Sequence, residues 1–231
     1  MRHLFVVAHP DDEVLGAGAF IFDATRRGDV CGAVIMNTCD MTRYEDDRSK
    51  ILTDLENSHR EIGITERYLY NHEDGNFHLE DHRRMVQEIE EAIRQFQPDC
   101  VFTHHPSDNN QDHIVVAQSC MEAFRIWQRG RDRKHHPAFC PFKALYTMEV
   151  LSSTDWGISP STNPFTPNTF VGVSASAIGA KIRALKCYEN VIRESPHPRS
   201  FENIRALSTI RGSQGGYTTA EAFQCIFKRG I

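Results

Sequence analysis

Near its N-terminus the chain reads Leu4-Phe5-Val6-Val7-Ala8-His9-Pro10-Asp11-Asp12-Glu13. One imidazole and two adjacent carboxylates on a single turn can supply metal ligands and a general base together, because one carboxylate can face a cation while its neighbour stays free. The same residue types return much later, in His104-His105-Pro106-Ser107-Asp108-Asn109-Asn110-Gln111-Asp112-His113. Two imidazoles and a carboxylate that leave a fourth position open form the ligand set of a catalytic zinc ion. Such an ion lowers the pKa of a water and polarises a carbonyl, so its natural chemistry is hydrolysis of an acyl compound. Spacing alone does not say which aspartate binds and which accepts a proton. It does not separate amides from esters or phosphates either, and Asp11 and Asp12 also fit the plainer role of helix caps.

The elements that must position these residues follow from periodicity. The apolar run 4–8 predicts a buried strand, and residues 14–20 open a helix that Gly28 closes. A second strand is expected over 30–36, a helix over 48–61 stopped by Gly63, a strand over 67–70 and a helix over 79–96 stopped by Pro98. A strand over 100–103 and a helix over 114–128 complete the pattern of alternating strands and helices. That alternation predicts an α/β, Rossmann-like fold, a mostly parallel sheet with helices on both faces. The second part of the chain reads less regularly. Strands are expected over 144–150 and 170–173, helices over 177–192 and 200–210 (ended by Gly212), a helical stretch over 218–223 and a last strand over 225–227. The basic stretch 129–136 reads as a solvated connection. The long polar loop 152–169 reads as a cover for a site, since a structureless loop of that length is unusual in a compact domain. The turn His72-Glu73-Asp74-Gly75-Asn76 ends the third strand and is a possible part of a site as well as a plain Asp-Gly turn.

In an open α/β sheet ligands bind beyond the carboxyl ends of the strands, where the strand order reverses. With strand order 3-2-1-4, the first and fourth strands are neighbours, and the groups around His9 and His113 converge there. Composition sets the remaining bounds. The 231 residues carry a net charge of -5, with no block of like charge. That suits one domain spanning 1–231, offers no basic field for nucleic acid and favours a small ligand. No run approaches the length of a membrane span, and no signal-like segment stands at the start, so a cytoplasmic location is expected. Seven scattered cysteines without a C-x-x-C pair indicate neither a disulfide framework nor a zinc ribbon.

The stretch Ala8-His9-Pro10-Asp11-Asp12-Glu13-Val14-Leu15-Gly16 resembles the (A/P)-H-P-D-D-E signature of the LmbE-like, or PIG-L, family of zinc-dependent N-deacetylases. Residues 108–113 resemble the family's second motif ending in D-H. Arg199-Ser200, Arg211-Gly212 and Gly216-Tyr217-Thr218-Thr219-Ala220-Glu221-Ala222-Phe223 resemble its C-terminal part. The resemblance implies His9, Asp12 and His113 as ligands to one Zn2+ or another divalent metal, Asp11 as general base and Asp112 as a residue that orients its neighbours. It implies removal of the N-acetyl group from an N-acetylamino sugar or its conjugate by attack of a metal-bound water on the amide, and it is compatible with a homo-oligomer. Asn110 stands where several members of the family have a histidine that stabilises the oxyanion or protonates the leaving amine. An amide can donate to an oxyanion but delivers no proton at neutral pH, which leaves Asp11, His72, His104 and His105 as candidate acids. A related zinc amidase or esterase acting on another acyl group is the alternative reading. A non-catalytic binding module with this fold is disfavoured by the intact ligand set and by the lack of G-x-G-x-x-G after the first strand.

Overall fold

The structure is a computed structural model, and it describes residues 1–39, 47–128, 142–156 and 163–230. The basic stretch 129–136 and part of the expected covering loop, residues 157–162, lie outside the described residues. In chain order the elements are β1 (Arg2–Val7), α1 (Asp12–Arg26), β2 (Val30–Ile35), α2 (Arg48–Ile62), β3 (Glu66–Leu69), α3 (His82–Phe96), β4 (Cys100–His104) and α4 (Gln111–Gln128). Then come β5 (Ala144–Met148), β6 (Thr169–Gly172), α5 (Ala175–Lys186), α6 (Phe201–Gly215) and β7 (Ala220–Lys228).

The strands form one sheet in the order β3-β2-β1-β4-β5-β7-β6. The first five of these run parallel, and β7 and β6 pair antiparallel at one side. The apolar run of β1 is buried on both faces because its side chains alternate between two cores. Phe5 and Val7 pack with α1, α2 and α5, while Leu4, Val6 and Ala8 pack with α3 and α4. The expected reversal of strand order falls between β1 and β4, which pair directly from His3 with Cys100 to Val6 with Thr103. Among the described residues no helix is long and apolar enough to cross a membrane.

Four expectations are corrected. The stretch 218–223 is not helical: β7 takes Ala220 onward and pairs with β5 on one side and β6 on the other. The helix preference of its Ala and Glu residues is overridden because residues 220–223 pair with β6, Phe223 also meets Met148 of β5, and Ala220, Ala222 and Phe223 are buried. Gly212 does not end α6, which runs on to Gly216, a residue at φ 77° where glycine is unstrained. Gly212 is required instead by close approach, since a Cβ there would lie 2.8 Å from the carbonyl oxygens of Tyr217 and Thr218. Helix α5 stops at Lys186 rather than 192; the chain turns after Cys187, with Asn190 at φ 55°, while Tyr188 and Val191 still reach the core. Finally α3 begins at His82 rather than 79, because the Asp81 carboxylate accepts from the Arg83 amide as its cap.

Helix α1 is broken at Ala17 (φ -148°, ψ 15°). In a continuous helix the Ala19 amide would donate to the Leu15 carbonyl. Here a buried ion pair stands in that gap. Lys181 Nζ donates to the Leu15 carbonyl at 2.7 Å and to Glu221 Oε1 at 2.6 Å, while Glu221 accepts from the amides of Ala19 (3.3 Å) and Phe20 (2.6 Å). The broken helix is thereby tied to α5 and β7.

Candidate metal centre and active site

Every side chain of the site is set by an element end. The chain leaves β1 at Ala8, whose amide donates to His104 Nε2 at 2.9 Å from the end of β4. It then turns through His9 and Pro10 to Asp11, which sits at φ 110° in the left-handed region, before α1 begins at Asp12. A non-glycine residue held there carries strain of about 1–3 kcal/mol, a feature that gathers at functional sites. The capping role considered for Asp11 is not observed, since its side chain caps no helix amide. Asp12 Oδ2 folds back to accept from the His9 amide at 2.9 Å.

On the facing side, α4 starts earlier than expected, at Gln111, because Asn110 Oδ1 accepts from the Asp112 amide at 2.9 Å and caps it. Asp112 and His113 therefore lie in the first helical turn, pointing back across the sheet end. Asp12 Oδ2 lies 3.4 Å from His9 Nδ1 and 3.3 Å from His113 Nε2. Two atoms bound at about 2.0–2.1 Å in a tetrahedron lie roughly 3.3 Å apart, so this spacing suits one shared cation. The far nitrogen of each imidazole meets a carboxylate. His9 Nε2 is 2.9 Å from Asp74 and 3.3 Å from Asp112, and His113 Nδ1 is 3.3 Å from Asp108. Such partners fix the ring and leave the other nitrogen free for a metal.

Two other groupings, His104 with Asp108 and His113, and His9 with Asp74 and Asp112, also bring ligand atoms close. They occupy the outer faces of the same imidazoles. Only the set of His9, Asp12 and His113 lies wholly on the wall of a cavity of about 470 Å³, which Asp11, Asp74, Asn110, Trp156 and Arg199 also line. The set His9, Asp12 and His113 can therefore hold a metal ion.

The charges agree with this. Burial opposes a charge on His9, but hydrogen bonds to Asp112, Asp12 and Asp74 outweigh it and hold the imidazole well above its ordinary pKa. His113, likewise buried, is raised to about 9 by Asp12 and Asp108. Asp12 is held well below the usual carboxylate range despite its burial, by the imidazoles of His113 and His104. Without a cation the cluster thus gathers two protons around one carboxylate, where a divalent ion would bring the same charge.

The residues around the set are equally specified. Asp112 accepts from the amides of Gly75 (2.7 Å) and Phe77 (3.2 Å), so it holds both His9 and the loop after β3. Asp108, buried yet lowered to about 2 by the facing His113, accepts from Ser153 Oγ and from Thr154 Oγ1 (2.6 Å) in the loop after β5. Asp74, Asp108 and Arg199 carried no assigned role in the sequence. The signal available for the first was its Asp-Gly turn at a strand's carboxyl end; Arg199, which arrives from the segment before α6, was marked only by the resemblance of Arg199-Ser200 to the family's C-terminal part. Glu13 occupies the first turn of α1 and is fully buried, 2.9 Å from His59 Nε2, with its pKa raised by that burial.

Of the candidate acids, only Asp11 lines the cavity. His72 is buried between Glu80 and Glu88, away from it. His104 stacks under His113 at 3.8 Å between ring centroids, and burial together with the charge of His113 pushes its pKa down to about 3. Burial lowers His105 as well.

A family model for GlcNAc-PI de-N-acetylase, PIG-L, matches residues 4–124, just over half the chain and both clusters. The chain belongs to the PIG-L family. Among relatives of known sequence, the uncharacterized deacetylase YaiS of Escherichia coli (strain K12) is 30% identical over 133 residues, covering 53% of this chain and 67% of that protein. Among solved structures, the N,N'-diacetylchitobiose deacetylase of Pyrococcus horikoshii is 19% identical with a TM-score of 0.75, over 97% of this chain and 83% of that one. The 4-carboxy-2-hydroxymuconate hydratase GalB of Pseudomonas putida, also 19% identical, has a TM-score of 0.77 over 100% of this chain and 98% of that one. At such identities the structural likeness concerns the fold, which carries more than one chemistry.

Proposed function

We propose that this PIG-L family protein is a zinc-dependent N-deacetylase that removes the acetyl group from a small N-acetylamino sugar or its conjugate. The observation that carries the reading is the reciprocal pairing of His9 and His113. Each turns one nitrogen to Asp12 and the other to an outer carboxylate, beside a cavity that also holds Asp11. His9, Asp12 and His113 would hold the ion, and two nitrogens with one oxygen suit zinc. When bound, a zinc ion supplies Lewis-acid polarisation of the acyl carbonyl and a lowered pKa for a water in the cavity.

The chain's own residues do the rest. Asp11 accepts one proton from the attacking water as its oxygen bonds to the amide carbon. It returns that proton to the nitrogen as the C–N bond breaks, which yields a free amine and acetate. The other candidate acids lie off the cavity, so one carboxylate serves as base and then as acid. The Oδ1 of Asn110 is engaged in the helix cap, which leaves its Nδ2 donor for the oxyanion. Asp112 acts on His9 and the 74–77 loop rather than on substrate. The polar side chains on the wall suit a sugar's hydroxyls, and Trp156, 46% exposed, offers a flat apolar face to a pyranose ring.

The test is acetate release. Zinc-loaded protein is incubated with a panel of N-acetylhexosamines and their glycosides, alongside N-propionyl and O-acetyl analogues, and amine or alcohol product is measured. The reading expects turnover of an N-acetyl sugar that chelation abolishes and zinc restores. Turnover confined to the O-acetyl or larger acyl analogues moves the protein to the amidase or esterase class, and full activity in metal-free protein removes the metal role.

A further inference from the structure

Arg199 is the only lysine or arginine among the described residues that line the cavity, and neither the ligand set nor the proton transfer uses it. Its side chain is largely buried, at 19% exposure. Its Nε donates to the Leu151 carbonyl at 3.1 Å and to Ser152 Oγ at 2.7 Å, both in the loop after β5. Its NH1 reaches Asp11 Oδ2 at 3.5 Å. A guanidinium carries five donors in a planar fork, so this arrangement anchors one edge and turns the rest toward the cavity.

Backbone strain singles out the same residue. Four described non-glycine residues have positive φ: Asp11, Gln97, Ser152 and Asn190. Gln97 ends α3, where the left-handed conformation is ordinary, and Asn190 at φ 55° lies inside the left-handed region that Asn and Asp both tolerate, whereas Asp11 at φ 110° lies well beyond it. The other two, Asp11 at 110° and Ser152 at 66°, are the two whose side chains bond to the Arg199 guanidinium. The fold holds two unfavourable backbone conformations so that both side chains meet one cation.

We propose that Arg199 is the acyl-side positioning residue of this centre. Its guanidinium holds the Asp11 carboxylate in place and presents its remaining N–H donors to the acyl oxygen, which becomes an oxygen of the released carboxylate. The physical need is charge. Asp11, Asp12 and Asp74 line the cavity, and a carboxylate product forms among them. A planar fork matches a carboxylate with two parallel hydrogen bonds, which the point charge of a lysine does not reproduce. The identity of the acyl group as acetyl rests on the deacetylase reading; the carboxylate-binding role of Arg199 does not.

The experiment compares zinc-loaded wild type with Arg199→Met and Arg199→Lys, after zinc content and circular dichroism confirm loaded, folded protein. Sodium acetate is titrated by calorimetry, and kcat and KM are measured on whichever acyl substrate the wild type turns over. Acetate is expected to bind roughly tenfold or more weakly to both variants. On loss of one such donor group kcat is expected to fall about 100-fold, with KM within about threefold. In a third variant, Arg199→Ala, checked for zinc content and fold in the same way, added methylguanidine is expected to restore part of the kcat, which a merely structural role would not allow. If Arg199→Met is unfolded, Arg199→Lys carries the comparison. Wild-type affinity for acetate and wild-type kcat in the folded variants would overturn the role and leave the deacetylase reading intact. Acetate binding that depends on Arg199, in a protein that cleaves no N-acetyl compound, supports the role while removing that reading.

Discussion

Replacing both members of the Lys181 and Glu221 pair should destabilise the protein by clearly less than the two single replacements added together. The two side chains are 5% and 6% exposed and lie 2.6 Å apart. Between them they satisfy the Leu15 carbonyl and the amides of Ala19 and Phe20 at the break in α1. Breaking a buried ion pair by removing one partner costs about 3–5 kcal/mol. Glu221→Ala also strips two backbone donors, each adding roughly 1 kcal/mol or more. Against a total stability of about 5–15 kcal/mol, that variant is expected at the edge of folding. Glu221→Gln keeps the shape and an acceptor, and Lys181→Met keeps most of the stem. These two form the usable singles, each expected near the lower end of that range. The double variant removes both charges together and should recover about 2 kcal/mol or more relative to the sum of the singles. Urea unfolding of zinc-saturated protein followed by circular dichroism, at a fixed metal concentration, measures all four corners of the cycle. Singles within 1 kcal/mol of wild type, or a coupling energy near zero, would refute the claim that this pair replaces the missing helical hydrogen bond.

Further outcomes follow from the site and its supports. His113→Ala should lose its zinc, while Asp11→Asn should keep zinc and stability, since Asn tolerates a left-handed conformation, yet lose about 10²–10⁴ in kcat; metal analysis and turnover separate the two. In metal-free protein the His113 pKa is raised to about 9 from an unfolded value near 6.5. Its contribution to stability is therefore fully present below about pH 6.5 and lost as pH rises through about 9. Metal must displace that proton, so zinc affinity should fall from pH 8 to pH 6 with proton release, readable by calorimetry in buffers of different ionisation heat. Equal affinity at both values would contradict the proximity of Asp12 and Asp108 to that ring. Gly212→Ala should destabilise by about 1–3 kcal/mol in thermal melts, because a Cβ there meets two carbonyl oxygens at 2.8 Å; an unchanged melting temperature would mean that α6 and the 217–218 turn can separate at no cost.

The parallel half of the fold was readable from periodicity because each element there carries a simple pattern: continuous apolar strands, amphipathic helices, and Gly63 or Pro98 at their ends. The strand order 3-2-1-4 followed from the handedness and proximity of such units, and with it the meeting of His9 and His113. The C-terminal part was harder to read. Residues 218–223 have helical composition, but 220–223 pair along β6 and Phe223 begins the ladder with β5, and Gly212 has the look of a stop signal while serving a close contact. Both depend on neighbours distant in the chain, which a local pattern does not contain.

The same division holds within the site. The motif at residues 9–13 and its counterpart at 108–113 determine by themselves which residue types stand at the carboxyl ends of β1 and β4, because strand, turn and helix are local consequences of hydrogen bonding and side-chain alternation. Only the tertiary structure decides which nitrogen of each imidazole faces Asp12, since Asp74, Asp108 and Asp112 reach the other nitrogen from three separate loops and helices. It alone brings Arg199 to Asp11, and it alone removes His72 and His104 from the set of acids by burying them off the cavity. Residue type and chain spacing set what a side chain can do; distance and burial, which depend on packing between remote segments, set what it is placed to do.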